Sequence, residues 1–171
     1  GVQGAMVLQH HLYGDQNEAI LDAVRRWPDR FWGFAYLGGF QRADDAERLE
    51  RLLAAGMTGL KVELATTRRL NPAFRYDDPH VWSIWRRLAA LGAPLILDIN
   101  GLDAADLAAL RRLVAELPTL RLAICHLAGA PRGPWQEAAL LGRQPHVWLD
   151  LASLQHPFGP EHEYPFPQAQ Q

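Results

Sequence analysis

Leu120-Arg-Leu-Ala-Ile-Cys-His126 is a short apolar run that ends directly in a histidine. Five other short apolar runs occur along the chain, and segments with apolar residues at helical spacing separate them. The six runs are Ala5–Gln9, Phe31–Leu37, Gly59–Leu64, Pro94–Ile99, Leu120–Cys125 and Val147–Leu151. Their nearly continuous apolar character is typical of strands in a parallel sheet that is covered on both faces. The sequence therefore predicts an α/β fold with six β units separated by five helices.

Capping residues mark the ends of the predicted helices. The expected N-terminal caps are the cluster Asp15-Gln-Asn17, then Asp44 or Asp45, and Asp103. The expected C-terminal cap glycines are Gly56 and Gly92. Pro79 fits the first turn of another helix. The polar stretch from 65 to 78 is predicted as the longest loop. We expect residues 1–171 to form a single domain in which residues 154–171 are an irregular tail or loop.

Composition and charge restrict the class of protein. Apolar residues make up 49% and charged residues 21% of the 171 residues, which is typical of a globular domain. This length is short for a complete eight-fold barrel. The net charge of −2, with arginines and acidic residues interspersed, predicts neither a nucleic-acid surface nor a membrane patch. No apolar run has the length of a transmembrane helix, and no signal peptide is visible.

Two residue types occur once each. Cys125 is the only cysteine, so no disulfide can form within the chain, and a reducing, cytoplasmic compartment is the simplest interpretation. Lys61 is the only lysine. Together with the many alanines, leucines and arginines, this bias favours a bacterial source with a GC-rich genome.

Two architectures fit six βα units, namely an open doubly wound sheet and a piece of a (β/α)8 barrel. The first strand is followed by Gln9-His-His-Leu-Tyr-Gly14 rather than by a glycine-rich phosphate loop. This counts against a dinucleotide site. Composition alone does not decide between sheet and barrel.

Several segments, in this order and at this spacing, resemble the amidohydrolase-2 family. They are Val7–Gln9 with Asp15–Asn17, Arg26–Phe34, Gly56–Lys61, Leu117–Pro131 and Pro145–Ser153. The family contains metal-dependent hydrolases and related decarboxylases of TIM-barrel fold, and the resemblance covers strands two to seven of that barrel. Its members carry a His-x-His pair on the first strand and an Asp on the eighth, and neither is in this sequence. The resemblance therefore implies an incomplete barrel whose remaining strands come from further sequence or from a partner chain.

Candidate site residues follow from the barrel architecture, because functional groups lie at the carboxyl ends of its strands. The polar residues at these positions are His10 or His11, Tyr36, Lys61, Glu63, Asp98, Asn100, His126, and Asp150 or Ser153. His10 and His11 are neighbours, so on a strand only one of them would face the pocket.

His126 and Asp98 are the predicted catalytic residues and the tentative metal ligands. The resemblance places the sixth-strand histidine in the active site, as a catalytic base or near the metal, and imidazole suits both roles. Asp98 stands where the family often has a histidine that binds metal, which leaves a metal-free member open. The alternatives are a hydrogen-bonded histidine at a strand end and an Asp98 paired with an arginine or a backbone donor.

Lys61, His10, Tyr36 and Arg68 are the predicted substrate-binding residues. Lys61 could hold a substrate carboxylate, bridge two metals as a carbamate, or pair with Glu63, which faces the same side of the strand. Arg68 lies in the predicted long loop and could capture an anionic substrate.

The resulting hypothesis is an enzyme that hydrolyses a C–N, ester or lactone bond of a small carboxylated substrate. Water would be activated by a divalent metal, zinc being the expected ion, or by the His126 and Asp98 pair. A non-oxidative decarboxylase on the same fold and a non-catalytic barrel that binds a ligand or partner are the alternatives. A small molecule is the expected partner, nucleic acid and membrane are not, and a homo-oligomer is left open.

Overall fold

The computed structural model describes residues 1–99, 101–130 and 132–152, with only the backbone of His11. Within these residues six parallel strands form one curled sheet, a half-barrel in which strands follow their order in the chain. The strands are β1 Ala5–Val7, β2 Phe31–Ala35, β3 Gly59–Glu63, β4 Leu95–Asp98, β5 Leu122–Ile124 and β6 Val147–Leu149. All six predicted strands are confirmed, each shorter than its apolar run. The predicted candidates Asn100 and Ser153 and the predicted tail 154–171 lie outside the described residues.

Helices follow the strands in the β/α alternation of a barrel. They are α1 Asn17–Arg26, α2 Asp45–Ala54, α3 Leu64–Leu70, α4 Pro79–Leu91, α5 Ala104–Glu116, α6 His126–Gly129 and α7 Trp135–Ala139. Two 3₁₀ helices, His11–Tyr13 and Leu140–Arg143, complete the described elements. Five helices agree with the predicted ones, whereas α3 and the four-residue turn α6 were not predicted.

The prediction of one long loop over residues 65–78 is wrong in its first half, because α3 continues directly from β3. Its residues Leu64, Thr66 and Thr67 are buried. The hydroxyl of Thr66 donates to Oε1 of Glu63 at 2.8 Å. Tertiary packing therefore overrides the low helix propensity of the two threonines, which had made this stretch resemble a loop.

The two faces of the sheet have different surroundings. One set of alternate strand residues, including Leu60, Leu97 and Ile124, packs with the helices into the main core. The opposite set forms the concave face, where Phe34, Ile96 and Cys125 make a smaller apolar cluster. The polar ends of the strands lie above this small cluster.

Capping side chains are observed at two helices. Pro79 is in the first turn of α4 as predicted, and Asp78, which was not predicted as a cap, accepts from the backbone N–H of His80 and Val81. Asp103 and Asp106 form a reciprocal capping box on α5. At α1 and α2 the N-cap residues are Gln16 and Asp44, and neither side chain makes a capping hydrogen bond. Both N-cap residues lie where the sequence predicts them, and at α1 the Asp15 carboxylate accepts from the backbone N–H of Asn17 at 3.0 Å.

The predicted C-terminal cap glycines are confirmed. Gly92 has φ +63° and ends α4, and Gly56 follows α2 with φ +120°. Among the residues that the structure describes, none of the helices has both the length and the apolar character needed to span a membrane.

Candidate active site

Lys61 and Asp98 meet at the carboxyl ends of two neighbouring strands. Glu63 of β3 pairs in register with Asp98 of β4, and Lys61 lies two residues earlier on the same face of β3. The long side chain of Lys61 therefore reaches Asp98 diagonally, and its Nζ lies 3.1 Å from Oδ2 of Asp98. The exposed fractions of the two side chains are only 10% and 19%. Lys61 thus pairs with Asp98, and Asp98 pairs with a lysine rather than an arginine.

His126 contacts the other oxygen of the same carboxylate. Its Nε2 lies 3.2 Å from Oδ1 of Asp98, and its Nδ1 lies 2.9 Å from the carbonyl oxygen of Ala152. The Ala152 carbonyl only accepts hydrogen bonds, so Nδ1 is the donor there. The second nitrogen can donate to Asp98 only if the imidazole carries both protons. Nε2 of His126 and Oδ1 of Asp98 are therefore within hydrogen-bonding distance of each other, at 3.2 Å.

The backbone that carries His126 is left-handed. His126, Leu127 and Ala128 have φ of +58°, +48° and +58°, and Gly129 has φ +81°. Each non-glycine residue in this conformation costs about 1–2 kcal/mol. The N–H of Leu127 donates to the Asp150 carbonyl at 2.8 Å, and that of Ala128 donates to Cys125 at 3.1 Å. These hydrogen bonds hold a strained turn at the end of β5, where strain is common in functional sites.

Gln9 is a residue of this site that the sequence analysis did not single out. Its backbone carbonyl accepts a hydrogen bond from Nζ of Lys61 at 3.4 Å. The side chain is buried and donates from Nε2 to Oδ1 of Asn17 at 2.7 Å. A glutamine at the end of an apolar strand was the available signal, because a buried amide at such a position needs partners.

Tyr36 follows β2 and is partly buried. Burial raises the pKa of its phenol above 10.0, and the negative charges of Glu63 and Asp15 raise it further, whereas Arg69 and Arg48 act in the opposite direction. Tyr36 is therefore a neutral hydrogen-bonding group near neutral pH.

His10 and His11 do not lie on a strand. The argument that only one of them would face the pocket assumed that they do. The strand β1 ends at Val7, and His11 opens a 3₁₀ helix. His10 is exposed, and its Nδ1 accepts from the backbone N–H of Leu12 at 3.4 Å.

Arg68 is part of α3, and its guanidinium pairs with the capping box of α5. Its Nη2 lies 2.6 Å from Oδ1 of Asp106, whose side chain is fully buried. Arg75 lies 3.7 Å from the same oxygen. Arg68 therefore neutralises a buried carboxylate. The same guanidinium would have to bind both Asp106 and the substrate if the predicted substrate contact were made.

Cys125 lies beside the acidic residues of the concave face. Burial raises the pKa of its thiol to about 12, and Asp150 and Asp98 contribute in the same direction. The thiol is therefore a neutral packing group in this site.

A divalent metal does not fit the donor set that the described residues provide. Both oxygens of Asp98 already have partners, and one partner is the cation Lys61 at 3.1 Å. Within residues 1–99, 101–130 and 132–152, no group of three or more histidine, cysteine or acidic side chains could hold a metal ion. Among the described residues, Asp98 and His126 supply two ligands at most, and a complete metal site needs more than two.

Comparison with protein families gives one match that covers nearly the whole chain. A family model described as Amidohydrolase matches residues 1–169. A search of the curated proteins found none that matches this sequence.

Solved structures share the fold. A probable 2-pyrone-4,6-dicarboxylic acid hydrolase from Acinetobacter baumannii, with citric acid bound, is 20% identical with a TM-score of 0.71, and the match covers 98% of this chain and 61% of that one. A 5-carboxyvanillate decarboxylase from Sphingomonas paucimobilis is 15% identical with a TM-score of 0.59, over 81% of this chain and 53% of that one. A dihydroxybenzoic acid decarboxylase from Polaromonas, with bound manganese and an inhibitor, is 23% identical with a TM-score of 0.52, over 66% and 42%. The chain thus spans between two fifths and three fifths of the length of these proteins.

Proposed function

This chain belongs to the amidohydrolase-2 family, and from this premise we propose that it contributes the active-site core of a hydrolase. The substrate is a small carboxylated molecule, and the bond attacked is a C–N, ester or lactone bond. One observation carries the proposal: the Asp98 carboxylate contacts both the Lys61 ammonium and the His126 imidazole at the carboxyl ends of β3, β4 and β5.

In the proposed starting state the His126 imidazole carries both of its protons and donates from Nε2 to the Asp98 carboxylate. As water attacks the carbonyl carbon, its proton passes to Asp98, and the oxygen of water forms the new bond to carbon. The imidazolium of His126 gives its Nε2 proton to the leaving oxygen or nitrogen as the old bond breaks. Transfer of the proton from Asp98 back to His126 restores the starting state. No other co-reactant is needed.

The described residues leave one donor of Lys61 for the substrate. An ammonium carries three N–H groups, and Asp98 and Gln9 accept two of them. We assign the third to a carboxylate or carbonyl oxygen of the substrate. Tyr36 and His10 are proposed to contact the rest of the substrate, with the Tyr36 phenol as a neutral donor. Arg68 is the least favoured of the predicted contacts, because it already pairs with Asp106.

Two observations support a carboxylated substrate, one from a protein of similar fold and one from this chain. The Acinetobacter protein is described as a probable hydrolase of a pyrone dicarboxylic acid, which is a lactone with two carboxylates, and it holds citric acid. A buried ammonium suits such an anion. We therefore propose a carboxylated lactone as the first substrate to test, with carboxylated amides and esters next.

A metal is not used in this proposal, although the family resemblance implies one and the Polaromonas structure contains manganese. Zinc was the expected ion, and its strongest ligands here would be Asp98 and His126. Both already have partners, so the proposed reaction depends on this chain's own acid and base.

A decarboxylase is the second candidate. Solved decarboxylases of aromatic acids share this fold. The proton between Asp98 and His126 could protonate a ring carbon as carbon dioxide leaves. The two candidates are separated by their products, because hydrolysis of a lactone yields a new carboxylate and decarboxylation releases carbon dioxide.

The experiment is a substrate panel assayed with and without a chelator. The panel holds 2-pyrone-4,6-dicarboxylate, carboxylated amides and esters, and dihydroxybenzoates. We expect turnover of a carboxylated lactone, amide or ester that persists after dialysis against the chelator. Activity that is lost on chelation and restored by zinc or manganese would overturn the metal-free step. No turnover across the panel would overturn the enzyme and leave a non-catalytic ligand-binding barrel.

The remaining parts of the proposal concern the protein's surroundings. We propose a cytoplasmic enzyme with a small-molecule substrate as its partner. Whether it forms a homo-oligomer is measured by light scattering on the purified protein.

A further inference from the structure

Asn17 is a buried amide that joins the ends of two strands. Its side chain is only 4% exposed. Its Oδ1 accepts from the backbone N–H of Tyr36 at 2.9 Å, and its Nδ2 donates to the Tyr36 carbonyl at 2.8 Å. The side chain thus makes with Tyr36 the pair of hydrogen bonds that a neighbouring strand would otherwise make, just beyond the end of β2.

A third hydrogen bond connects Asn17 to Gln9. Nε2 of Gln9 donates to the same Oδ1 of Asn17 at 2.7 Å, and Oε1 of Gln9 accepts from the N–H of Gln16 at 2.6 Å. Both ends of the Gln9 amide are therefore held by the first turn of α1. This fixes the residue whose backbone carbonyl faces Nζ of Lys61.

We propose that Gln9 and Asn17 are positioning residues that act on Lys61. Their hydrogen bonds hold the Gln9 carbonyl at a fixed place across the concave face from Asp98. The Lys61 ammonium then lies between two acceptors and points its third donor to one place. This inference rests on the proposed function, because it assigns the two amides a role in a site that the proposal makes reactive.

A purely structural role for Asn17 would need only its two bonds to Tyr36. The bond from Gln9 adds nothing to the attachment of β2, but it determines where the second acceptor of Lys61 lies. The two roles are therefore separable by variants that break different bonds of the same network.

Gln9→Met is the selective variant. Methionine has nearly the same length but makes neither amide hydrogen bond, so it releases Gln9 from Asn17 and Gln16 while both Tyr36 bonds remain. Asn17→Asp is the second variant, because a carboxylate keeps the acceptor but cannot donate to the Tyr36 carbonyl. Asn71→Asp is the matched control. Asn71 donates to the Gly39 carbonyl at 2.8 Å in the same manner, in a loop with a different set of partners.

The measurement uses the single lysine of the sequence. Protein labelled with ¹³C and ¹⁵N only in lysine gives one set of side-chain signals, all from Lys61. Its Cε and Nζ shifts are followed against pH, and modification of Lys61 by an amine reagent is timed by peptide mass spectrometry. We expect Gln9→Met to move the Lys61 signals and to speed its modification at least threefold. Asn17→Asp, which keeps the acceptor for Gln9 and breaks only the bond to the Tyr36 carbonyl, should change both by less. Asn71→Asp should change neither.

The outcomes separate this inference from the proposed function, because the measurement needs no substrate. If Gln9→Met leaves the Lys61 signals and modification rate as in the wild type, or if Asn17→Asp changes them as much as Gln9→Met does, the positioning role is overturned, whether or not stability falls. The same holds if Asn71→Asp moves them equally. A lysine response without turnover on the panel would keep the inference and reject the function. Turnover without a response of the Lys61 signals would support the proposed function and reject the positioning role.

Discussion

The ammonium of Lys61 on β3 lies 3.1 Å from the carboxylate of Asp98 on β4, and both side chains are largely shielded from water. Removing Lys61 leaves the largely desolvated Asp98 carboxylate without its permanently charged partner, in contact with the His126 imidazole alone among the described side chains. We expect Lys61→Met to lower the free energy of unfolding by about 3 kcal/mol. In the double variant Lys61→Met/Asp98→Asn, the carboxylate charge that Lys61→Met leaves without its lysine is removed as well. The double variant should therefore lose less stability than the sum of the two single losses, as measured by urea denaturation.

The control for this comparison of single and double variants is an exposed ion pair. Asp22 and Arg26 pair along α1 with more than half of each side chain exposed. Arg26→Met should leave stability nearly unchanged, because solvent already screens that pair. Losses at Lys61 and Asp98 that simply add would show that the two residues do not interact in solution.

His126→Asn tests the proposed proton transfer without disturbing the turn that carries it. Asparagine tolerates the left-handed region better than most residues, so it can replace His126 at φ +58°. We expect kcat on the best substrate of the panel to fall by about 10²–10⁴-fold, which is the usual contribution of a general acid or base. Circular dichroism should remain as in the wild type.

His146→Asn is the matched histidine control. His146 precedes β6 at the amino end of the sheet, where its carbonyl accepts from Leu122. This variant should keep its kcat. A His126→Asn protein that retains more than a tenth of wild-type kcat would remove His126 from the reaction.

The fold could be predicted from the sequence because its signals are local. Each strand lies within a nearly continuous apolar run, and Asp103 and Gly92 mark helix ends through their own backbone contacts. Helix α3 was missed because its helical state depends on burial of Leu64 and Thr67, which is decided by tertiary packing. Propensity alone describes this segment as a loop.

The sequence predicted which residues form the candidate site, but not which of them contact each other. The position of His126 after an apolar run was enough to select it. The choice of Asp98 rather than Glu63 as the partner of Lys61 depends on the register of β3 against β4, which places Asp98 within diagonal reach. The left-handed turn gave only Gly129 as a signal, because left-handed His126, Leu127 and Ala128 follow no sequence rule.

Gly129→Ala tests the close packing of the turn. Gly129 has φ +81°, and a Cβ there would lie 3.1 Å from the backbone of Gly101 and of Ile99. We expect the variant to lose more than 1 kcal/mol of stability, because it combines an unfavourable backbone with contacts that cannot move aside. Gly101→Ala is the control, since Gly101 has φ +82° with open space around it. Equal losses at both glycines would show that the packing contributes nothing.

The thiol of Cys125 should report on the opening of the concave face. Burial is the main cause that raises its pKa to about 12, and the side chain is 7% exposed. At pH 8.5 the thiolate is the reactive form, so alkylation of the native protein should be roughly 10³-fold slower than in denaturant. Labelling is measured by mass spectrometry. Native and denatured rates within tenfold of each other would contradict the burial of this residue.

The carboxylate of Asp103 is expected to contribute to the loss of stability at acid pH. The N–H of Asp106 donates to its carboxylate and, with Arg75 and Arg68 nearby, holds its pKa below the ordinary value of 3.8. The folded pKa is below the unfolded one, so the stabilisation is complete above about pH 4 and is lost as the pH falls through the folded value. Asp103→Asn keeps a capping side chain that does not titrate. We therefore expect the two proteins to have similar stability at pH 6, and the wild type to lose its stability more steeply than Asp103→Asn between pH 4 and about pH 2. Urea denaturation across this range measures both curves, and parallel losses in the two proteins would assign the acid sensitivity to other carboxylates.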